Sequence, residues 1–322
     1  HGASMRDLSG SNVLLLRGKD VLDYLHRVST NSIKDLDKFE YVNTLFTNEK
    51  GRIIDRTTLL QLDGFFILIG NSAVKEKLIR WLDRYIITED IIIKDTYSSY
   101  SLFEILGPQA ESYMTLICGK CIDLLNTKKI IQTQIEDSSV YIYKKEEGAK
   151  ELSKYRILFN SINYEKVLSY FLERKSVFNF SIIGKKAYET YRIEKGIPIS
   201  PNEINDSFNP HESNLLNDIS FTKGCYIGQE VIARLDTYDE VQKKLTKVNI
   251  DKYISINDQQ VIVYDQEDNE AGVLTSIAEV NNGEVIGLAY IRKNYLENGT
   301  KLKAENNGYK IEITVTNHSS SK

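Results

Sequence analysis

Phe221-Thr222-Lys223-Gly224-Cys225-Tyr226-Ile227-Gly228-Gln229-Glu230-Val231-Ile232-Ala233-Arg234 reads as a loop-to-helix transition with a thiol at its tip. Lys223 and Gly224 interrupt the short apolar run Ile219 to Phe221, and glycine permits backbone angles and close approaches that a side chain forbids, so the chain turns there. Gly228 then opens a short helix in which Glu230 falls in the first turn, where a carboxylate suits the positive helix end, and Val231 and Leu235 share a face. Cys225 thus precedes a helix start and stands two residues from Lys223, surroundings that favour thiolate over thiol. The competing reading is a small buried cysteine that packs as a hydrophobe.

Upstream of this stretch, Gly184 to Lys195 reads as a helix with Tyr188, Tyr191 and Lys195 on one face and Glu194 at its end. Residues 197–212, from Ile197-Pro-Ile-Ser-Pro to Asn209-Pro-His-Glu212, form a long connection without periodicity, of the kind that crosses an active face. His211 within it reads as a surface-loop histidine. Beyond residue 239 the texture changes to short strands at 244–250, 260–264, 272–279, 285–291, 300–303 and 309–315, separated by Asn, Asp and Gly turns. That spacing predicts a small closed β-barrel, with His318 and the serines after it as a frayed tail.

Towards the N-terminus, His1-Gly2-Ala3-Ser4 reads as an expression remnant and is set aside. Val13 to Leu16 is a strand, Asp20 to Val28 a helix in which His26 is an ordinary residue, and 41–47, 52–62 and 65–69 a three-stranded meander. Asn71 caps the next helix or contacts a ligand, and Val74, Leu78, Trp81, Leu82 and Tyr85 give that helix an apolar stripe. Strands at 91–93, 102–106, 141–143 and 156–159 and helices at 109–118 and 164–172 complete an α+β pattern of antiparallel sheets covered on one side by helices. Cys118-Gly-Lys-Cys121 has no second pair or nearby histidine to complete a zinc site, and Gly119 suits a helix C-cap, so no metal is expected.

The 322 residues allow about two domains. A formal charge of −4 argues against nucleic acid as a partner held by global charge, and no apolar run reaches the ~18 residues of a membrane span. Three cysteines provide no disulfide framework, which points to a reducing compartment, the cytoplasm or, in a eukaryote, the mitochondrial matrix.

Lys223-Gly-Cys-Tyr-Ile-Gly-Gln-Glu230, together with Tyr188-Glu-Thr-Tyr-Arg-Ile-Glu-Lys-Gly-Ile-Pro198, resembles the YgfZ-type proteins, the folate-binding iron–sulfur cluster maturation factors related to the glycine-cleavage T-protein. That resemblance, weaker over most of the chain from Val13 onward, implies an aminomethyltransferase-like folate-binding region over residues 5–239, built of two interleaved subdomains, and a C-terminal barrel over 240–318. It implies tetrahydrofolate or another reduced folate as cofactor, iron–sulfur assembly machinery or client enzymes as partners, and a monomer. Cys225 and Asp55 are the implied chemical groups. Glu194, facing the pterin, leads the implied folate contacts, with Arg192, Asn71, Lys223, Gly224, Tyr226, Gly228, Gln229, Glu230 and Arg234. A carboxylate is suited to accept two hydrogen bonds from the pterin amino and ring N–H groups. The T-protein carries Gly-Gly-x-x-Asp-Asp where this chain has Gly51-Arg-Ile-Ile-Asp55-Arg56, so a carboxylate pair becomes an expected ion pair, and Asp239-Glu240 stands where relatives show a basic residue and Gly. Three functions remain open: tetrahydrofolate-dependent assembly or repair of iron–sulfur proteins through Cys225, folate-dependent aminomethyl or methyl transfer, and a folate-binding scaffold without chemistry.

Overall fold

The alternation of apolar side chains along the strands decides which surfaces meet, because successive residues of a strand point to opposite faces. The computed structural model describes residues 2–96, 98–145, 153–174, 178–238, 241–256, 260–280, 282–306 and 308–316; Asp239, Glu240 and His318 lie outside them. The chain divides into two compact units, one of residues 1–46, 55–184 and 217–227, the other of residues 47–54, 185–216 and 228–322.

In the first unit the elements run β1 (Ala3–Asp7), β2 (Asn12–Arg17), α1 (Val21–Val28), β3 (Glu40–Thr47), β4 (Ile53–Gln61), β5 (Phe66–Gly70), α2 (Lys75–Tyr85), β6 (Ile92–Asp95) and β7 (Tyr100–Leu106). They continue through α3 (Ala110–Cys118), β8 (Ile130–Ile135), β9 (Ser138–Lys145), β10 (Lys154–Asn160), α4 (Tyr164–Glu173) and β11 (Phe180–Ile182). A six-stranded sheet has the order β11-β1-β7-β10-β9-β8 and a five-stranded sheet the order β3-β4-β5-β2-β6. Phe103, Ile105, Ile142, Ile157 and Phe159 of the larger sheet face Tyr113 and Met114 of α3 and Val167 and Phe171 of α4. Their strand neighbours Leu102, Tyr143 and Leu158 point the other way and meet Val13, Leu60, Ile67 and Ile69 of the smaller sheet. Over the far face of that sheet Trp81 of α2 packs on Phe46 of β3, ring centroids 5.3 Å apart, and the Tyr24 hydroxyl of α1 donates to the Leu82 carbonyl at 2.6 Å. The layers are therefore helices, sheet, sheet and helices, each sheet carrying helices on one side as expected.

The segment set aside as an expression remnant is part of this sheet. Ser4 pairs with Leu106 of β7 on one side and, in parallel, with Ser181 of β11 on the other, and Ala3 is completely buried. β1, β8 and β11 carry too few alternating apolar positions to announce themselves as strands in the sequence.

In the second unit α5 (Lys185–Lys195) and α6 (Gln229–Tyr238) precede β12 (Lys243–Ile250), β13 (Val261–Tyr264), β14 (Glu270–Glu279), β15 (Val285–Arg292), β16 (Lys301–Asn306) and β17 (Tyr309–Thr316). These six strands close in the order β12-β15-β14-β13-β16-β17, the expected barrel. Val248, Val263, Leu274, Ala289, Ile291, Leu302, Ile311, Ile313 and Val315 fill it. Ile193 of α5 packs with Phe208 against Leu245, Leu288 and Tyr290, and the Phe208 and Tyr290 rings stack at 3.5 Å.

The connection 197–216 is held by a buried carboxylate. Register between β14 and β15 slips between Leu274 and Ser276. A bulge of this kind re-aims side chains that a regular strand would send to opposite faces. Here the Thr275 and Ser276 hydroxyls both donate to Glu203 Oε1, at 2.7 and 2.6 Å. Glu203 Oε2 accepts from Arg192 Nη1 at 3.1 Å and from the Ile199 amide at 3.2 Å. Glu203 and Arg192 are both fully buried.

Removing one partner of such a pair strands the other charge out of water. Glu203→Ala is expected to cost about 3–5 kcal/mol in urea unfolding, and Arg192→Met added to Glu203→Leu to recover much of it. A Glu203→Ala loss below about 1 kcal/mol contradicts the assignment of this pair as an anchor of the unit.

Candidate functional site around the Cys225 loop

Residues 217–227 belong to the first unit, and polar contacts of the described residues explain how they are tied there. Thr30 Oγ1 donates to the Asp218 carbonyl at 2.7 Å, Arg56 Nε to Asp218 Oδ2 at 2.6 Å, and the Ser220 amide to the Thr30 carbonyl at 3.0 Å. The Lys223 ammonium then donates to the carbonyls of His26, of Ser29 at 2.7 Å and of Asn31 at 3.0 Å. Lys223 Nζ also lies 5.2 Å from the centroid of the buried Tyr226 ring. Burial lowers Lys223 to about 8 and raises the Tyr226 phenol to about 12. Between these two anchors Gly224 and Cys225 are exposed.

This placement revises what was expected of Lys223. An ammonium has three donors, and here all three meet backbone carbonyls of the first unit. His26 takes part as well: its carbonyl receives Lys223, and its Nδ1 accepts the amides of Ile33 at 3.1 Å and Lys34 at 3.3 Å. Burial, then the Lys223 charge, holds that imidazole below its ordinary value, which keeps Nδ1 an acceptor.

Asp55 and Asn71 are brought together. Asp55 is completely buried on β4, where its carboxylate accepts the Asn71 amide at 3.0 Å and the Arg56 amide at 2.8 Å. The Asn71 side chain accepts the Ala73 amide at 2.9 Å at the turn Ser72–Val74, whereas α2 itself starts after Val74 without a side-chain cap, so Asn71 does not cap that helix as expected. The Arg56 guanidinium is paired with the buried Asp218, a partner 162 residues away that no sequence spacing singles out. Asp218, Thr30 and Glu203 are the side chains that reading the sequence missed, since each acts through a long-range contact.

In the second unit Gly228 has φ +82°, and a Cβ there would sit 2.4 Å from the Asn48 carbonyl oxygen and 3.0 Å from Gly51 Cα. Asn48 shapes that turn, its side chain accepting the amides of Lys50 and Arg52, both at 3.0 Å. Gln229 is half-buried at the start of α6, while Glu230 and Arg234 are exposed. Glu194 is exposed at the end of α5, where Lys247 Nζ donates to its carbonyl at 3.2 Å. Arg192, expected to touch folate, is fully buried. Its Nε donates to Glu189 at 2.8 Å, Nη1 to Glu203 and the Ile197 carbonyl, and Nη2 to Ser276 at 2.6 Å and Glu189 at 2.7 Å, which engages all five N–H groups. His211 is likewise no surface histidine: it is buried, with Nε2 2.9 Å from the Ile232 carbonyl of α6. Arg52 pairs with Glu212 at 3.1 Å.

The GCVT N-terminal domain model matches residues 1–223, more than half of the chain, and the chain belongs to that family. A chloroplastic transferase-like protein of Arabidopsis thaliana is 27% identical over 308 residues, covering 91% of this chain, which in turn spans 66% of that relative's length. An aminomethyltransferase of Staphylococcus carnosus is 24% identical over 302 residues, covering 92% of this chain and 80% of that protein. The crystal structure of the glycine cleavage system aminomethyltransferase T from Bartonella henselae superposes with a TM-score of 0.81 over 98% of this chain and 86% of that one, at 17% identity, which shows a shared fold.

Two glycines of the motif should separate cleanly. A left-handed residue with a Cβ costs about 1–2 kcal/mol before any clash, so Gly228→Ala is expected to destabilise by at least that much. Gly224→Ala, with nothing within 4 Å of its Cβ, should cost under about 0.5 kcal/mol. Equal losses in chemical denaturation contradict this account. Burial also raises the Cys118 thiol to about 12, so mass-spectrometric thiol labelling at pH 8 should modify Cys225 and leave Cys118 intact.

Proposed function

We propose that this chain is a tetrahydrofolate-dependent factor of the YgfZ type, acting in the assembly or repair of iron–sulfur proteins through the Cys225 thiol. The observation that carries the reading is an exposed cysteine in Lys223-Gly-Cys-Tyr-Ile-Gly-Gln-Glu230, with its flanking residues 223 and 226 anchored and the thiol left open. A cysteine so exposed on an anchored loop suits reaction with, or transient ligation of, a partner's group more than packing. The partners in this reading are iron–sulfur assembly machinery or client enzymes.

Donor chemistry fits a reduced folate at Glu194. Its carboxylate is exposed at the end of α5, outside the Arg192–Glu203 network, and presents two oxygens to the paired N–H groups of a pterin. Bound, tetrahydrofolate supplies ring and bridge nitrogens that carry one-carbon units. Asp55 holds or releases a proton at its buried carboxylate, and the Asn71 and Arg56 amides fix the direction of that group. In the second unit Gly228, Gln229, Glu230 and Arg234 join Glu194 as the proposed folate contacts; in the first unit Gly224 and Tyr226 frame the thiol.

The second reading is folate-dependent aminomethyl or methyl transfer, favoured by the name of the Staphylococcus carnosus relative. The replacement of the expected second acid by Arg56, whose guanidinium is paired with Asp218, supports maturation over transfer. A scaffold without chemistry is the third.

Calorimetric titration with tetrahydrofolate is expected to show binding that Glu194→Ala weakens by about tenfold or more, the loss of a charge-assisted hydrogen-bond pair. In cells lacking the protein, Cys225→Ser is expected to fail to restore cluster-dependent enzymes while glycine cleavage continues. No folate binding removes the cofactor assignment. Full restoration by Cys225→Ser removes the thiol from the mechanism.

A further inference from the structure

The seat of the Cys225 loop is the end of α1 and the turn after it. Helix C-termini leave their last four carbonyls without intrahelical partners and carry the negative end of the helix dipole. Leu25 has its own solution, since its carbonyl accepts the Ser29 amide at 3.1 Å and the Ser29 hydroxyl at 2.8 Å. The His26 carbonyl turns instead to Lys223, joined there by the carbonyls of Ser29 at 2.7 Å and Asn31 at 3.0 Å. A primary ammonium, a compact charge with three donors, matches three converging carbonyls; a planar guanidinium fork does not. No carboxylate is hydrogen-bonded to this ammonium among the described residues, so its charge is met by backbone dipoles. The charged groups around His26, which are Asp23, Lys34 and Asp35, act on the imidazole beside the cage.

We propose that Lys223 is a positioning residue for Cys225: its ammonium, seated among the carbonyls of His26, Ser29 and Asn31, holds the thiol-bearing loop in one presentation. One residue, Gly224, separates Lys223 from the thiol-bearing Cys225, and the Tyr226 ring lies 5.2 Å from the same ammonium. The motif lysine then acts by geometry, and Cys225 is presented without Lys223 touching whatever the thiol meets. The functional consequence rests on the role proposed for Cys225; the geometry does not.

The test is amide hydrogen exchange over residues 218–227 in the full chain, with the labelling rate of Cys225 read alongside. Lys223→Ala is expected to raise exchange there by about tenfold to a hundredfold, the scale of losing hydrogen bonds to a charged group. Butylammonium added at millimolar concentration should restore protection by refilling the seat, and tetramethylammonium, which has no N–H, should not. Lys223→Arg should behave as a loss. Unchanged exchange in Lys223→Ala, or equal restoration by both cations, overturns the proposal. Should Lys223→Ala fail to fold, acylation of the unaltered protein decides: its lowered basicity alone would make Lys223 the faster-reacting amine, so slower modification of Lys223 than of the exposed Lys50 by an activated ester reports the seat, and equal or faster modification overturns it. Full rescue of cluster-dependent enzymes by Cys225→Ser, with the exchange results intact, would remove the function proposed for the thiol and leave the seat standing.

Discussion

A carboxylate removed from water organises the second unit. Glu203 lies in a stretch of chain without regular structure, and nothing in 197–216 has the periodicity that would bind it to a sheet by apolar burial alone. Four hydrogen bonds reach its two oxygens, from Arg192, Ile199, Thr275 and Ser276. Burying two charges is costly unless each lone pair and proton is matched, and here the match draws helix α5, the connection and the bulge of β14 to one point. The Glu203 carbonyl adds a further link by accepting the Tyr290 hydroxyl at 2.7 Å. Geometry of this kind tolerates few alternatives, which is how an irregular segment acquires a single conformation.

The first unit reaches order by a different route. Its two sheets and their helices are held by apolar alternation, and polar tethers appear where the chain returns at 217–227. There the partners are mostly backbone carbonyls and hydroxyls, with the half-buried Arg56 paired to the buried Asp218. The signature stretch accordingly divides its labour by residue type. Lys223 and Tyr226 hold the loop, Gly224 leaves the space beside the thiol clear, and Gly228 takes a left-handed conformation against a backbone that leaves no room for a side chain. Only Cys225 among the residues 223–226 has an open, chemically reactive side chain.

Much of this was legible in the residues themselves. Helical and strand periods located α1 to α5 and all six barrel strands, because each buries one face and the apolar residues must recur at 3.6 or 2.0 positions to do so. The Gly228 helix start and the Gly119 cap followed from local stereochemistry. Strands β1, β8 and β11 did not follow, since a short strand takes its stability from neighbours and needs little pattern of its own.

What the sequence by itself determined is the α+β architecture, the barrel and the position of a thiol within a loop-to-helix motif, all properties of residues near one another in the chain; that the thiol is exposed came from the fold. Tertiary structure alone decided the partners of the charged side chains. Lys223 meets carbonyls 192 to 197 residues away, Arg56 meets Asp218, and Arg192 turns from an expected ligand contact into the counterion of Glu203. A charge is compatible with solvent, ligand or counterion, and only the folded surroundings, by burying it and supplying specific acceptors, select one.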